Sequence, residues 1–537
     1  MRRWFASTLA LAALLAPLAG SGEDPQPDAL VLIETALDSL RLSEARKLID
    51  SLESNRAVEP RARYLEGKLL FFEGRFDEAL VELRAAIEGA RAELGWKLLR
   101  DQVELTRQTL EGMTTTNGAS GAFVYRHDKG ADRLLVGYAD DALTAQLDAL
   151  AEAFDDRPHV KIQIDVMPDV ESLAAASGLT VEQIERTGTV GVTKHGQIMV
   201  LTPRELTTGY PWLDTLAHEL THVMITRAAR GKAPIWLHEG VAKLHELRWR
   251  GLSTGQLSPT EAYLLDRAAK ERRLIPLRRF HPSVAHLPNQ EDATLAYAQV
   301  LSFLSYLDQR LESDWVRELL TAIGSGQSVD QAFEEVTASP LRRHYMWWRQ
   351  AASGKRQTPV SALGFMERKF KRGAATAQAG IESVLSLDVR RHLRVGDLLR
   401  LRGHVKAAAA EFRQALSLAD SPSPPITDRL AGCLLDLDDH QGVVELLEDM
   451  LELYPSHAES FIQLGRALSA LDQPERSAAV LERGNAINPF HPAVHCILAE
   501  QYRAVGRGHE AATEASHCQL VASRQSEDEP DGASSGD

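Results

Sequence analysis

No cysteine occurs among the first 432 residues, and the three present, Cys433, Cys496 and Cys518, all fall in the C-terminal third. An odd, sparse set of this kind is no disulfide framework. It also removes thiolate from the choice of metal ligands over most of the chain, leaving imidazole nitrogen and carboxylate oxygen. Positive charge is in deficit: 60 Lys and Arg stand against 75 Asp and Glu, for a net charge of −15. Nucleic acid is thereby excluded as a main partner, because phosphate binding needs clustered cations. Beyond the N-terminus no apolar run reaches the length of a membrane span. What the chain does have, 44% hydrophobic and 25% charged residues over 537 positions, is enough to build the cores of three or four domains.

The one long apolar run comes first. Met1-Arg2-Arg3 is basic, Trp4 to Gly20 is rich in Ala and Leu and broken late by Pro17, and Ala19 to Gly22 are small. This order is that of a secretory signal peptide, expected over residues 1–22, which directs the mature chain to the periplasm or the exterior. The alternative is an uncleaved membrane anchor, since the run approaches the lower length for spanning. No cysteine follows it, so lipid attachment there is excluded by chemistry, and no stable span is expected once the signal is removed.

The most informative motif is His218-Glu219-Leu220-Thr221-His222. With 3.6 residues per turn, His218 and His222 project from one face of a helix, about 6 Å apart along its axis. Two imidazoles so placed grip one metal ion while Glu219 reaches a water on it. Glu239, in Trp236-Leu237-His238-Glu239-Gly240, follows His222 by 17 residues. A continuous helix would carry it about 25 Å away, so it belongs to a second helix folded back after a break at Gly231 and Pro234. Two imidazoles and a carboxylate leave a fourth zinc position open, as catalytic sites require. His238 and His245 flank Glu239 and are expected to point elsewhere as non-ligands.

The pair of blocks at 218–222 and 236–246 resembles the gluzincin metallopeptidases, and most closely their peptidase MA-like branch, in which the second helix reads W-L-x-E-G-x-A. The resemblance implies an α+β zincin-like domain, one Zn2+ per chain held by His218, His222 and Glu239, and Glu219 as the general base. It implies that Glu246, later on the same helix, orients a zinc histidine through its other ring nitrogen, with Asp214 a rival for that task. Ala296-Tyr297-Ala298-Gln299 and the apolar residues after it look like the helix that closes the domain in these relatives. Tyr297 then matches a tyrosine that steadies the tetrahedral intermediate; the bland reading is a packed tyrosine with its hydroxyl at the edge. The stretch Leu319 to Phe333 also fits this branch. Val160 to Val166 alternates as a strand, and Gln197 to Leu201 reads as another. In gluzincins the edge strand before the metal helix pairs with substrate backbone, and aminopeptidase relatives carry a glutamate there. Gly196 to Val200 has no acid, which disfavours capture of an N-terminus and favours an internal cut.

Helical repeats are expected on both sides. Gly396, Ala431, Gly465 and Ala499 recur at 34–35 residues as the small residue of a first helix, and Ala408, Val443, Ser477 and Ala511 keep register in a second. Arg402-Gly403, Asp438-Asp439, Leu471-Asp472 and Val505-Gly506 mark the turns between them. The period is that of tetratricopeptide repeats (TPR), and Gly67, Gly74, Phe76, Ala79 and Leu83 fit the same template. The expected order is an N-terminal TPR-like domain at 23–118, the metallopeptidase-like domain at 119–352, a linker at 353–380, TPR repeats at 381–522 and a disordered acidic tail at 523–537. The linker's basic residues, Arg368, Lys369 and Lys371 among them, read as solvated, with contact to a membrane or an acidic surface as the alternative. The leading functional expectation is an exported zinc metallopeptidase acting on peptides or proteins, with a partner protein on the TPR surfaces. The alternatives are an interaction scaffold with an inactive or latent zinc domain, and a zinc hydrolase of cell-wall peptides.

Overall fold

A computed structural model of the chain describes residues 28–52, 59–89, 94–252, 255–354, 367–371, 386–419 and 423–528. The expected signal peptide lies outside the described residues, as do the end of the chain and most of the expected linker.

Five helices open the described chain: α1 (Ala29–Asp38), α2 (Leu42–Asp50), α3 (Pro60–Phe72), α4 (Phe76–Glu88) and α5 (Leu94–Thr109). α3 and α4 cross closely because Gly67 has no side chain; a Cβ there would stand 2.7 Å from Leu83 Cγ. Gly74 makes the turn between them at a φ of 76°, a conformation that costs glycine nothing.

A five-stranded sheet follows: β1 (Thr114–Asn117), β2 (Phe123–His127), β3 (Ile162–Met167), β4 (Gly191–Lys194) and β5 (Gln197–Leu201), in the order β1-β2-β3-β5-β4. β2, β3 and β5 run parallel, while β1 and β4 close the two edges antiparallel. Two corrections result. β1 pairs with β2 although the expected boundary at 118/119 leaves it outside the domain. β5, taken for the edge strand, is interior; the edge before the metal helix is β4. All five residues of β5 are buried, which is why they are apolar and read as the stronger strand. The edge sequence Gly-Val-Thr-Lys also lacks an acid.

Ten helices complete this domain among the described residues. α6 (Leu135–Phe154), α7 (Val170–Ser177) and α8 (Val181–Thr187) connect the strands; α9 (Trp212–Ala228) and α10 (Ile235–His245) carry the motif blocks. α11 (Pro259–Lys270), α12 (Gln290–Asp308), α13 (Trp315–Gly324), α14 (Val329–Thr337) and α15 (Leu341–Gly354) form the remainder. The N-terminal helices dock on the sheet at the β4–β5 turn. Gln197 Nε2 donates to Phe71 O at 2.9 Å, and the His195 and Phe71 rings stand 4.9 Å apart.

The C-terminal part is four helical hairpins among the described residues: Leu387–Leu401 with Val405–Leu418, Pro424–Asp436 with His440–Leu453, Ala458–Ala470 with Pro474–Asn485, and Pro492–Ala504 with Gly508–Asp528. The small residues sit at the crossings, where a Cβ on Gly396 would stand 2.4 Å from Phe412 and one on Gly465 2.4 Å from Leu481. Positive φ falls at Gly403, Asp438, Asp472 and Gly506, inside the four expected turns. The last helix runs on to Asp528, beyond the expected start of the tail at 523.

This hairpin array folds back onto the sheet domain. Tyr210 N donates to Ile487 O at 3.0 Å, and the Tyr138 hydroxyl bonds Glu514. The cysteines correct a further expectation, since Cys496 and Cys518 are paired across the last hairpin while Cys433 is free and buried. Parity says nothing about two helices that bring their Cα atoms to 5.0 Å. The bridge closes a 22-residue separation, for which chain entropy gives about 3 kcal/mol. Cys496→Ser is therefore expected to destabilise the terminal hairpin by about that amount, measured by denaturant unfolding, with reductant lowering the stability of the wild type but not of the variant.

Candidate metal centre

α9 is buried along most of its length, and Leu216, Leu220 and Val223 anchor it in the core. Its opposite face presents His218 and His222, whose rings are 4.8 Å apart and nearly perpendicular. After Ala228 the chain reverses through Arg230 and Gly231, both at positive φ, and Pro234 caps α10. Gly240 lets α10 press against α12, since a Cβ there would meet Leu304 Cδ1 at 2.7 Å. That approach sets the depth of Glu239.

Glu239 Oε2 lies 3.3 Å from His218 Nε2 and 3.5 Å from His222 Nε2. Nitrogen and oxygen donors at about 2.0–2.2 Å from a tetrahedral ion are separated from one another by about 3.3–3.5 Å. The three donors thus already stand where one divalent cation would hold them. Burial opposes charge on Glu239, but His222 and His218 outweigh it and hold its carboxyl below the usual range. Burial likewise pushes the His218 imidazole down, while Glu239 and Glu246 more than reverse this and raise it to about 10. That preference for a positive charge at the nitrogens is one a bound dication satisfies equally.

Behind His218, Glu246 Oε2 lies 3.2 Å from Nδ1. An Nδ1–H donated to this carboxylate would leave the Nε2 lone pair on the side of Glu239, where it could serve a metal ion. Lys243 Nζ donates to Glu246 Oε1 at 2.5 Å. Burial disfavours the Glu246 charge, yet Lys243 and His218 keep its carboxyl below the ordinary value. Asp214, the rival, is held elsewhere: it accepts from Trp249 Nε1 and Arg250 Nη2, both at 3.0 Å. Burial pushes its carboxyl up to about 6. Its place near the start of α9 turns it toward the Arg248–Arg250 segment, away from the histidines. Glu246→Gln is expected to weaken metal affinity by about 10- to 100-fold with the fold intact, measured by competition with a chromogenic chelator.

Glu219 is positioned by β4. The Thr193 hydroxyl lies 2.7 Å from Glu219 Oε2 and 2.8 Å from its backbone oxygen. β4 passes so close that a Cβ on Gly191 would meet Glu219 Oε1 at 2.8 Å. Tyr297 on α12 stands edge-on to His218, with ring centroids 6.0 Å apart. Burial, reinforced by Glu239 and Glu219, holds its phenol well above the ordinary value, so it remains a hydrogen donor. His238 lies 5.6 Å from the His222 ring, and His245 is turned to Phe154; burial pulls each imidazole down to about 3.

Three contributors escaped sequence reasoning. Thr193 sits in a strand whose signal was the two-residue turn His195-Gly196, with both φ positive, the geometry of a tight hairpin. Gln146 on α6 is fully buried, and its Nε2 donates to Thr221 Oγ1 at 3.2 Å and His245 O at 3.0 Å, locking α9 to the end of α10. Arg368 is not a solvated linker residue. Its backbone is clamped by Gln290 on α12, and Lys369 O and Lys371 N bond the 205–207 segment.

A second cluster, His495, Glu514 and His517, also brings donors together. There His495 Nδ1 is only 2.6 Å from Glu514 Oε2, too close for two ligands of one ion and right for a hydrogen bond. With Tyr138 it forms a polar joint between the last hairpin and α6.

A family model described as the Peptidase MA superfamily matches residues 143–351, and one described as tetratricopeptide repeat matches residues 434–500. The chain thus carries a Peptidase MA superfamily domain followed by tetratricopeptide repeats. Among solved structures it is similar to "Crystal structure of MamA", at 16% identity over 26% of this chain and 81% of that one, with a TM-score of 0.24. It is similar also to "MamA 41-end from Desulfovibrio magneticus RS-1", at 20% identity over 26% and 78%, with a TM-score of 0.22. No curated protein matches it.

Proposed function

We propose that the protein is an exported zinc-dependent metallopeptidase. The observation that carries this reading is the 3.3 and 3.5 Å spacing of the His218, His222 and Glu239 donors beside a glutamate steered by the edge strand. The donor set of two imidazoles and a carboxylate suits zinc and leaves one coordination position for chemistry. When bound, the ion supplies Lewis acidity to a peptide carbonyl and to the attacking water. Glu219, fixed by Thr193, takes the proton from that water and hands it to the leaving amine. Tyr297 donates a hydrogen bond to the oxygen that gains charge. β4 offers its open side to an extended peptide, and its lack of an acid disfavours substrates held by their N-terminal amine. The Cys496–Cys518 pair supports export, since disulfides persist in oxidising compartments.

The test is a mass-spectrometric cleavage profile of a broad peptide library with and without a chelator. Cleavage that stops on chelation and returns with zinc is the expected result. Stoichiometric metal with no cleavage would instead favour the second reading, a scaffold whose metal domain is latent; the repeats at 434–500 are the observation that favours it. Digestion of envelope peptides against protein substrates separates out a cell-wall hydrolase.

A further inference from the structure

Arg368 places a cation at one end of the edge strand. Gln290 binds its backbone twice, Oε1 accepting from Arg368 N at 2.7 Å and Nε2 donating to Arg368 O at 3.0 Å. Gln290 and Tyr297 are seven residues apart on α12, two turns along one face. The Arg368 guanidinium donates through Nη1 to Gly188 O at 2.8 Å. Gly188 precedes the first residue of β4 by three positions, about 10 Å of extended chain. The residue keeps accessible surface, while its guanidinium lies within Coulombic reach of Tyr297, Tyr210, Glu246 and Glu261, and burial there pulls its pKa below the ordinary value. Among the described residues no carboxylate lies within ion-pair distance of it. An arginine in an acidic protein that is anchored by its backbone, stands near Tyr297 and Glu246 of the metal centre and has no carboxylate at ion-pair distance among the described residues is suited to a carboxylate brought from outside, which its fork binds in bidentate fashion.

The direction of a bound peptide follows from the charge. A peptide antiparallel to β4 puts its C-terminal side at the N-terminal end of the strand, where Arg368 stands; a parallel one would bring its ammonium group there and be repelled. On the reading of the site as a peptidase centre, we infer that Arg368 is a specificity-determining residue that selects peptides carrying a carboxylate just after the scissile bond. That carboxylate is either the free C-terminus or an Asp or Glu side chain, within roughly three residues of the bond at the rise of an extended chain.

The experiment uses the full chain loaded with zinc and N-terminally fluorescein-labelled peptides of mixed sequence. These are prepared as free acids, as C-terminal amides, and as amides with Glu or Gln after the variable position. Binding is read by anisotropy in the Glu219→Gln background, and kcat/KM in the parent enzyme. Acids are expected to bind at least tenfold more tightly than amides, and to be cleaved in the same ratio. Arg368→Ala should collapse both ratios toward one, and Arg368→Lys should restore part of each. Discrimination confined to the free acids assigns the C-terminal carboxylate; discrimination that persists between Glu and Gln amides assigns the side chain. The inference is overturned if acid and amide bind alike in the parent, or if Arg368→Ala lowers binding and turnover equally for both. Failure of the peptidase reading looks different: nothing is cleaved by any form, while the acid-to-amide binding ratio and its loss in Arg368→Ala still decide the role of Arg368.

Discussion

Glu219→Gln is expected to keep one metal per chain and to lose peptide hydrolysis by about 10²- to 10⁴-fold, the range of a positioned general base. The amide preserves the shape of the side chain and can still meet the Thr193 hydroxyl that lies 2.7 Å from the carboxylate. What it cannot do is accept a proton from water. Because Glu219 is not among the three converging donors, metal content measured by mass spectrometry of the native protein should be unchanged. Single-turnover kinetics on a peptide from the cleavage profile supply the rate. Unaltered turnover would remove Glu219 from the chemistry, and lost metal would move it among the ligands.

Glu239→Gln is expected to empty the site. Glu239 is the only one of the three donors contributed by α10, and both of its short contacts are to imidazole nitrogens. An uncharged amide in that place offers a weaker oxygen and withdraws the one negative charge among the donors. The loss in affinity should exceed the about 10- to 100-fold expected at Glu246, which acts through an imidazole. Equilibrium dialysis against a zinc buffer measures it, with circular dichroism checking that the helices persist. Stoichiometric zinc in this variant would place the third ligand elsewhere and undo the assignment of the centre.

The parts of the site that could be read from the sequence are those fixed by short spacings. His218 and His222 share a face because of helix pitch alone, and the return of Glu239 follows from a break that Gly231 and Pro234 announce. The repeats were legible for a similar reason, since close helix crossings demand Gly396 and Gly465. What escaped depends on contacts between distant residues. The bonding of Gln146 joins positions 71 to 103 residues away, so a polar residue within an apolar helix gives no sign that it is buried. β4 has four residues, too few to show alternation, and the apolar run of its interior neighbour drew the assignment. Arg368 sits in a stretch rich in basic residues whose composition suggests solvent. Its place is set by Gln290, 78 residues earlier.

The brevity of β4 has a further consequence. A strand of four residues leaves about two amides and two carbonyls unpaired along its rim. A single ribbon of peptide can be tacked down by that number of bonds, but too few remain to template the lateral growth of a second sheet. A longer rim would grip an added strand more firmly and also invite self-association, so a short rim trades hold on the main chain for a smaller edge open to further pairing.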